Sequence, residues 1–384
     1  MASRKRGQGE GSIGFYEGHW VAQATVGFGV RRRFYGKTRA EANAKLQEAL
    51  ASVRGGLSVP SGRTTVGGYL EDWLTGAGRA LRPSTASTYE RHIRLHVLPT
   101  IGRVPVARLQ PAQLDRLYAG LLAKGLSRTT VQHVHSILRR ALKQAARRGI
   151  VARNPTDLVD SPGRDHPEMR VLSAEQARAL LAAARLPRHA RFEAMYVLAV
   201  TTGMRRGELF ALRWVDVDLP GHALTVSGTL DRIRRPGQRS SLERTPPKTK
   251  TSMRRVPLTS TAVEALQRHQ RRQDQETAYF GSDWVDSGLV FCNERGRPLE
   301  PSNFLQRSFG PLLEDAGVPH VRFHDLRHTA ATLMAAQGVH TKVVSEMLGH
   351  ASIGITLDLY SHVTPSMGQQ AVSAMEAVFA AEGA

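Results

Sequence analysis

The chain has 384 residues, enough for two or three domains, and its 53 Lys and Arg against 33 Asp and Glu give a formal net charge of +20. This charge favours a polyanionic partner such as nucleic acid, because bound cations release counterions from it. No apolar run is long enough to span a bilayer, and the N-terminal "MASRKRGQGEGS" lacks the apolar part of a secretory signal. Cys292 is the only cysteine, which excludes an intrachain disulfide and fits a reducing cytoplasm.

The positive charge is concentrated in the first part of the chain. Residues 1–60 carry a net charge of +6, residues 61–165 carry +10, and the remaining residues carry only +4. This distribution predicts two basic modules that precede a larger domain of mixed charge.

The first 60 residues predict a small β-sheet followed by one helix. The strand stretches are "GSIGFYEG", "HWVAQATVG" and "VRRRFYG", which are separated by glycines. Thr38 and Glu41 form a capping-box pattern before the helix formers "AEANAKLQEAL". With Arg31, Arg32 and Arg33 on its last strand, such a module suits a reader of a DNA groove and equally suits any other small basic domain.

Residues 64–160 predict an all-α domain. The stretches "PAQLDRLYAGLLAKG" and "SRTTVQHVHSILRRALKQAARRGI" each place apolar residues on one helical face. On the second helix a basic group faces outward without acidic residues one turn away, which predicts a phosphate-facing surface. This group comprises Arg139, Arg140, Lys143 and Arg147. The proline-containing stretch "RNPTDLVDSPGRDHPEMR" predicts a linker.

Residues 168–384 predict a mostly α-helical domain with a small antiparallel sheet. Ser173 with Gln176, and Thr261 with Glu264, are capping-box patterns that predict helix starts. The stretch "ARFEAMYVLAVTTG" predicts a helix that ends at its glycine, and "ALTVSGTL" and "RRVPLT" predict strands. The predicted fold class is therefore multidomain α+β.

Four stretches of this third segment carry groups suited to phosphate chemistry. "TGMRRGEL" places Arg205 and Glu208 three residues apart, on one helical face. "HDLRH" places His324 and Arg327 at a predicted helix start, where free backbone N–H groups favour an anion and a guanidinium binds two phosphate oxygens. "RTPPKTKTSMRRVPL" and "LGHASIGITLDLY" add lysines on a predicted hairpin, a histidine and a tyrosine.

A metal site is the alternative interpretation of the "HDLRH" stretch. His320, His324 and His328 are spaced four residues apart, so one helix face could present three imidazoles. No cysteine or well-placed carboxylate completes such a site, and Arg322 and Arg327 would repel a cation. The phosphate interpretation is therefore favoured, with Asp325 and His328 expected on other helix faces, where they hold the segment in place.

These motifs, in this order, resemble those of the tyrosine recombinase family, in particular the phage-integrase type. The resemblance covers the whole chain. Residues 1–60 resemble an arm-type DNA-binding module, residues 64–160 resemble the helical, SAM-like core-binding domain, and residues 168–384 resemble the catalytic domain. It implies the following catalytic positions: Arg205, Lys248, His324, Arg327, His350 and Tyr360.

The resemblance also implies the role of each position. Tyr360 would attack a scissile phosphate to give a 3′-phosphotyrosyl link and a free 5′-hydroxyl. Arg205 and Arg327 would bind the non-bridging oxygens, without a metal or any other cofactor.

The remaining positions would move protons or support the arginines. His324 would assist proton transfer with the tyrosine, and His350 would hydrogen-bond a phosphate oxygen. Lys248 would protonate the leaving 5′-oxygen, with Lys250 as the alternative two residues further along the same hairpin. Glu208 would brace Arg205 and take no part in the chemistry.

The function so implied is site-specific recombination of DNA, the integration or excision of a phage genome or another mobile element without ATP. The expected partners are double-stranded DNA attachment sites, three further copies of the chain in a synaptic tetramer, and DNA-bending or directionality proteins, but no membrane. The location that the resemblance implies is the bacterial cytoplasm, in association with the nucleoid. A type IB topoisomerase shares this chemistry, but the two basic N-terminal modules argue against it. A non-catalytic DNA-binding regulator is a second alternative, against which the complete set of catalytic positions argues.

Overall fold

The computed structural model describes residues 11–26, 30–54, 64–78, 81–165, 169–233, 240–247, 253–350, 352–360, 372 and 375–376; for some of these, Tyr360 among them, it describes the backbone alone. The chain divides into two compact units, Met1–His166 and Pro167–Ala384. Within the described ranges no helix has the length and apolar character needed to cross a membrane.

The first unit begins with the predicted sheet and helix. Three antiparallel strands in the order β1-β2-β3 precede one helix: β1 (Ser12–Tyr16), β2 (His19–Val26), β3 (Val30–Gly36) and α1 (Arg39–Arg54). Thr38 caps α1 by accepting a hydrogen bond from the Glu41 N–H at 3.1 Å. The Glu41 carboxylate accepts its bond from the Lys37 N–H at 2.8 Å, one residue before the position that a capping box predicts.

The second part of this unit is all helical, as predicted. Its helices are α2 (Val66–Gly78), α3 (Pro83–His92), α4 (Leu98–Ile101), α5 (Pro111–Ala123) and α6 (Arg128–Arg147). One apolar cluster forms the core, and the apolar faces predicted for α5 and α6 are buried in it. The Ser127 side chain caps α6 by accepting from the Thr130 N–H at 3.2 Å.

The stretch predicted as a linker begins as an ordered part of this helical module. Asn154 is buried, and its Oδ1 accepts from the N–H and the hydroxyl of Thr156 at 3.2 and 2.8 Å, which closes a turn over Pro155–Leu158. Asp157 of this turn pairs with Arg139 of α6 at 2.9 Å. The basic face of α6 is exposed as predicted, but it does have one acidic neighbour, which the turn supplies from outside the helix.

The second unit is mostly helical, as predicted, with short antiparallel strands. Its helices are α7 (Ala174–Ala183), α8 (Glu193–Thr202), α9 (Arg206–Phe210), α10 (Ser260–Phe280), α11 (Pro301–Phe304), α12 (Gly310–Asp315), α13 (Asp325–Ala336), α14 (Thr341–Leu348) and α15 (Ile353–Tyr360). Its strands are β4 (Val217–Asp218), β5 (Ala223–Val226), β6 (Thr229–Ile233), β7 (Ser241–Thr245) and β8 (Arg254–Pro257). The strands form one sheet in the order β4-β5-β8 and a separate β6-β7 hairpin, so the single strand predicted over "ALTVSGTL" is divided between two sheets.

The two helix starts predicted in this unit have different outcomes. Ser173 and Gln176 form a reciprocal capping box at α7, with distances of 3.1 and 2.9 Å. The predicted cap at Thr261 is wrong, because α10 begins two residues earlier and Thr259 accepts from the Ala262 N–H at 3.2 Å. Threonine is a suitable N-cap at either position, but the helix begins soon after β8 ends at Pro257, so Thr259 takes the N-cap position.

Candidate active site

Two helices of the candidate site, α8 and α14, end at glycines in the left-handed conformation. Gly203 ends α8 with a φ of +63°, and a Cβ there would collide with the Leu348 side chain. Gly349 ends α14 with a φ of +66°, and a Cβ there would lie 2.8 Å from Nη1 of Arg254. Because glycine adopts this left-handed conformation without strain, the ends of α8 and α14 come together and present carbonyl oxygens to the arginines described next.

Arg327 lies in the first turn of α13 and is only 3% exposed. Its Nη1 donates to the Gly203 carbonyl at 2.8 Å and its Nη2 donates to the Leu348 carbonyl at 2.7 Å. Burial, followed by repulsion from Arg205, lowers the pKa of Arg327. A buried cation beside a second cation favours the arrival of an anion, which would offset both effects.

Arg205 occupies the N-cap position of α9 and leaves part of its side chain exposed. Its Nη1 contacts Oε1 of Glu208 at 2.8 Å, and its Nη2 donates to the Gly349 carbonyl at 3.1 Å. The carboxylate of Glu208 also accepts from the Arg205 N–H at 3.0 Å. One side of the guanidinium is thereby fixed, which matches the bracing contact expected from the three-residue spacing.

Glu208 is buried and has a second cationic partner, Arg254, which sequence reasoning missed. Nη2 of Arg254 lies 2.9 Å from Oε2 of Glu208, and its Nε donates to the Met347 carbonyl at 2.6 Å. Burial alone would raise the pKa of Glu208, but the hydrogen bonds and charges of Arg254 and Arg205 hold it below its ordinary value. Strand alternation could have identified Arg254, because it shares a face with the buried Val256.

His324 lies at the N-cap position of α13, where the following carboxylate fixes the turn. Asp325 is buried and accepts from the Arg322 N–H at 2.9 Å and from Arg322 Nη2 at 2.8 Å. The expectation that His328 faces elsewhere is wrong, since its ring packs edge-to-face on His324 with centroids 5.3 Å apart. Residues four apart share a helix face, and this pair follows that spacing.

Both histidines predicted for the site are neutral near pH 7. Loss of solvent, then the neighbouring His328 and Arg327, lowers the pKa of His324 to about 4. Burial, then Arg327 and Arg205, lowers the pKa of His350 to about 4. Nδ1 of His350 is 2.8 Å from the hydroxyl of Thr356, a buried residue of α15 that sequence reasoning did not identify.

The structure brings four of the predicted positions together: Arg205, His324, Arg327 and His350. Tyr360 is the last residue of α15, the helix that also contains Thr356. Only the backbone of Tyr360 is described; its side chain lies outside the described part. Lys248 and Lys250 fall between β7 and β8, also outside the described residues. Among the residues that are described, no cluster of three or more His, Cys, Asp or Glu side chains could hold a metal ion.

This arrangement suits a tetrahedral anion. Two guanidiniums with fixed orientations and two neutral imidazoles can donate hydrogen bonds to phosphate oxygens and offset charge that develops on them. Because Glu208 and three backbone carbonyls already hold the arginines, little reorganisation is needed when a phosphate enters.

Two family profiles and several relatives match the chain. The profile of the phage integrase family matches residues 170–367, and that of the N-terminal SAM-like domain of phage integrases matches residues 65–122. A tyrosine recombinase XerC-like protein of Caldanaerobacter subterraneus subsp. tengcongensis is 34% identical over 91% of this chain and 92% of its own. An integrase of Streptomyces ambofaciens is 32% identical, with 98% of each chain covered.

Solved structures share the fold. The Tn1549 transposon integrase in complex with a circular intermediate DNA has a TM-score of 0.67 at 21% identity, over 81% of this chain and 99% of that one. A lambda integrase tetramer bound to a Holliday junction has a TM-score of 0.58 at 18% identity, over 93% of this chain and 96% of that one.

The family profile spans more than half of the chain, and a relative above 30% identity aligns along nearly all of it. The chain therefore belongs to the phage integrase family and is a tyrosine recombinase.

Proposed function

We propose that this recombinase cuts and rejoins double-stranded DNA at attachment sites through Tyr360, and so integrates or excises a mobile element. The observation that carries the proposal is the convergence of Arg205 and Arg327 on the paired turns at Gly203 and Gly349. The next helix in the chain, α15, ends at Tyr360, ten residues after His350.

In the proposed cleavage step, Tyr360 Oη forms a bond to the scissile phosphorus while the bond to the 5′-oxygen breaks. His324 assists removal of the tyrosine proton, and Lys248, or alternatively Lys250, protonates the leaving 5′-oxygen. The product is a 3′-phosphotyrosyl link, which keeps the energy of the phosphodiester. Rejoining is the reverse step with the 5′-hydroxyl of the partner strand, so neither ATP nor a metal takes part.

His350 has a distinct proposed role that follows from its neighbour. A neutral imidazole carries one N–H, and the hydrogen bond that the other nitrogen makes decides which nitrogen carries it. If the Thr356 hydroxyl donates to Nδ1, Nε2 carries the proton and can donate to a phosphate oxygen. Thr356 would in this way set the tautomer that the reaction needs.

We assign the DNA contacts to three domains, residues 1–60, 64–160 and 168–384. In the first domain, Arg31 and Arg33 are exposed on β3 and pair in register with Thr25 and Gln23 of β2, a polar sheet face suited to a DNA groove. In the second domain, the exposed face of α6 contacts phosphates. These contacts supply affinity that depends on salt, while the third domain carries out the chemistry.

The active assembly would be a tetramer on two duplexes in the bacterial cytoplasm. Support comes from the fold shared with lambda integrase, which has been solved as a tetramer bound to a Holliday junction. DNA-bending and directionality proteins would choose between integration and excision.

The test begins by finding the DNA site. The full chain is incubated with random-sequence duplexes, and bound DNA is recovered and sequenced over several rounds. A duplex of the selected sequence, nicked near the crossover so that the cleaved fragment diffuses away, should trap a covalent protein–DNA adduct. Tyr360→Phe should abolish the adduct, while Tyr279→Phe, which changes an 85% exposed tyrosine of α10, should leave it intact.

Three outcomes separate the alternatives. An adduct with strand exchange between paired duplexes supports recombination. An adduct with relaxation of a supercoiled plasmid but no exchange indicates a topoisomerase instead. Tight binding without any adduct would identify a DNA-binding regulator and reject the enzymatic proposal.

A further inference from the structure

We infer that Arg254 is a positioning residue for DNA cleavage, which orients the arginine pair (Arg205 and Arg327) without contacting the DNA itself. This inference rests on the proposed function, since it assumes that the arginine pair binds the scissile phosphate. Arg254 begins β8, directly after the stretch that contains Lys248 and Lys250.

The first route from Arg254 to the arginine pair runs through Glu208. Oε1 of Glu208 lies 2.8 Å from Arg205 Nη1 and 3.3 Å from Arg254 Nη1. Oε2 accepts from the Arg205 N–H at 3.0 Å and from Arg254 Nη2 at 2.9 Å. Arg205 and Arg254 therefore both bind the carboxylate of Glu208. Without Arg254, the rotamer of Glu208 would be held by Arg205 alone.

The second route runs through the end of α14. Nε of Arg254 donates to the Met347 carbonyl at 2.6 Å. The next two carbonyls of the chain accept from the arginine pair, Leu348 from Arg327 at 2.7 Å and Gly349 from Arg205 at 3.1 Å. A shift of this turn would move both guanidiniums together, because each is bonded to it.

Arg254 itself is enclosed by protein. Its side chain is only 7% exposed, and all three of its guanidinium nitrogens contact Glu208 or the Met347 carbonyl. It also fills the space beside Gly349, where an added Cβ would lie 2.8 Å from Nη1. A group so enclosed acts on the reaction through the residues it holds and not by contact with the phosphate.

The experiment compares Arg254→Met and Arg254→Lys with the wild type, using the full chain and the nicked duplex at saturating concentration. Since a displacement of about 1 Å at a reacting centre can cost about 100-fold in rate, Arg254→Met should slow strand cleavage by about 100-fold. Arg254→Lys keeps the charge but not the planar set of donors, and should be roughly tenfold slower than the wild type. Arg255→Met is the matched control, because Arg255 is exposed and pairs only with Asp218 at the surface among the described residues.

A second substrate distinguishes positioning from a loss of general stability. Replacing one non-bridging oxygen of the scissile phosphate by methyl gives a neutral methylphosphonate, which depends less on the charge of the arginine pair. The difference between wild type and Arg254→Met should then shrink to about tenfold or less. If Arg254→Met does not fold by circular dichroism, Arg254→Lys serves instead, and its difference from the wild type should shrink from roughly tenfold to about twofold or less.

Two results would overturn the inference. The first is cleavage by Arg254→Met or Arg254→Lys within twofold of the wild-type rate on the ordinary duplex. The second is a slow variant whose defect is equally large on the methylphosphonate, which would indicate a merely structural role. Failure of the proposed function is distinguishable from both, because then the wild type itself would form no adduct.

Discussion

The molecule has two cationic regions that differ in how their charge is held. In the catalytic unit, Arg327 is buried and Arg205 partly so, and carbonyl oxygens and Glu208 fix their guanidiniums. On α6 of the first unit, Arg140, Lys143 and Arg147 are exposed, and within the described ranges none of them forms an ion pair. The first region is ordered before DNA arrives, whereas the second remains solvated.

This difference indicates what each region can contribute. Fixed donors in a site with little water stabilise charge that develops during a reaction, so they act on rate. Solvated cations gain affinity by releasing counterions from DNA, so they act on binding and on its salt dependence. Substitutions in the two regions should therefore change different measured quantities.

The largest effect is expected for Arg327→Lys. Arg327 contacts the Gly203 and Leu348 carbonyls from two separate nitrogens. A lysine has a single nitrogen and no planar set of donors, so it cannot reproduce both contacts and also bind a phosphate with two parallel hydrogen bonds. The cleavage rate at saturating DNA should therefore fall about 1,000-fold. The dissociation constant for the nicked duplex should rise by less than about tenfold, because the site supplies few of the contacts. Arg271→Lys, an exposed position on α10, is the control. A rate for Arg327→Lys within tenfold of the wild type would contradict this division.

Replacing Arg140, Lys143 and Arg147 together by Gln should give the opposite pattern. Loss of three contacts of about 1 kcal/mol each would weaken DNA binding roughly 100-fold at moderate salt. The slope of log affinity against log salt should become shallower by about 2.7, close to 0.9 per phosphate contact. Fluorescence anisotropy across a salt series measures both quantities. An unchanged slope would show that this face does not contact phosphates, while the cleavage rate at saturation should stay within twofold.

A smaller effect on rate is expected for Thr356→Val, which keeps the shape of the side chain but removes the hydroxyl beside His350. Loss of one buried hydrogen bond of about 1 kcal/mol that sets the imidazole tautomer should slow cleavage about fivefold. Thr356→Ser should retain most of the rate, since it keeps the donor. Equal defects in both variants would assign the effect to packing and not to the hydroxyl.

The last expectation concerns stability and not rate or affinity: the catalytic region contributes to a pH dependence of the free energy of unfolding. The folded-state pKa values of His324 and His350 are about 4, below the ordinary value of 6.5. Between these values the unfolded chain binds more protons, so the free energy of unfolding should fall as the pH drops from about 6.5 towards 4. Urea titrations at several pH values test this. The double variant His324→Gln with His350→Gln should lose part of this pH dependence. If its free energy of unfolding fell with pH as steeply as that of the wild type, the expectation would be contradicted.

Local spacing was sufficient to predict part of the site. Arg205 and Glu208 are three residues apart at a helix start, so their ion pair follows from helix geometry. The same geometry brings the ring of His328 onto His324, a contact that the expectation of separate faces overlooked. The end of α8 at its glycine was equally predictable, because glycine adopts the left-handed conformation that closes a helix.

Contacts between distant segments were not predictable in this way. Arg254 meets Glu208 across 46 residues, and this depends on how β8 pairs with β5. Arg327 binds the carbonyl of Gly203 across 124 residues, which requires α8 and α13 to pack together. Every residue has a backbone carbonyl, so the residue pattern cannot indicate which carbonyl oxygens bind the arginine pair.

Peptide mapping of the trapped adduct tests the central claim most directly, because it asks which atom of the protein the DNA is bonded to. Trypsin cleavage after Lys342 leaves residues 343–384 as one peptide, which contains Tyr360 as its only tyrosine. After nuclease digestion, mass spectrometry should find a nucleotide joined to that tyrosine through its 3′-phosphate. A nucleotide on any other residue, or an adduct that persists in Tyr360→Phe, would contradict the account.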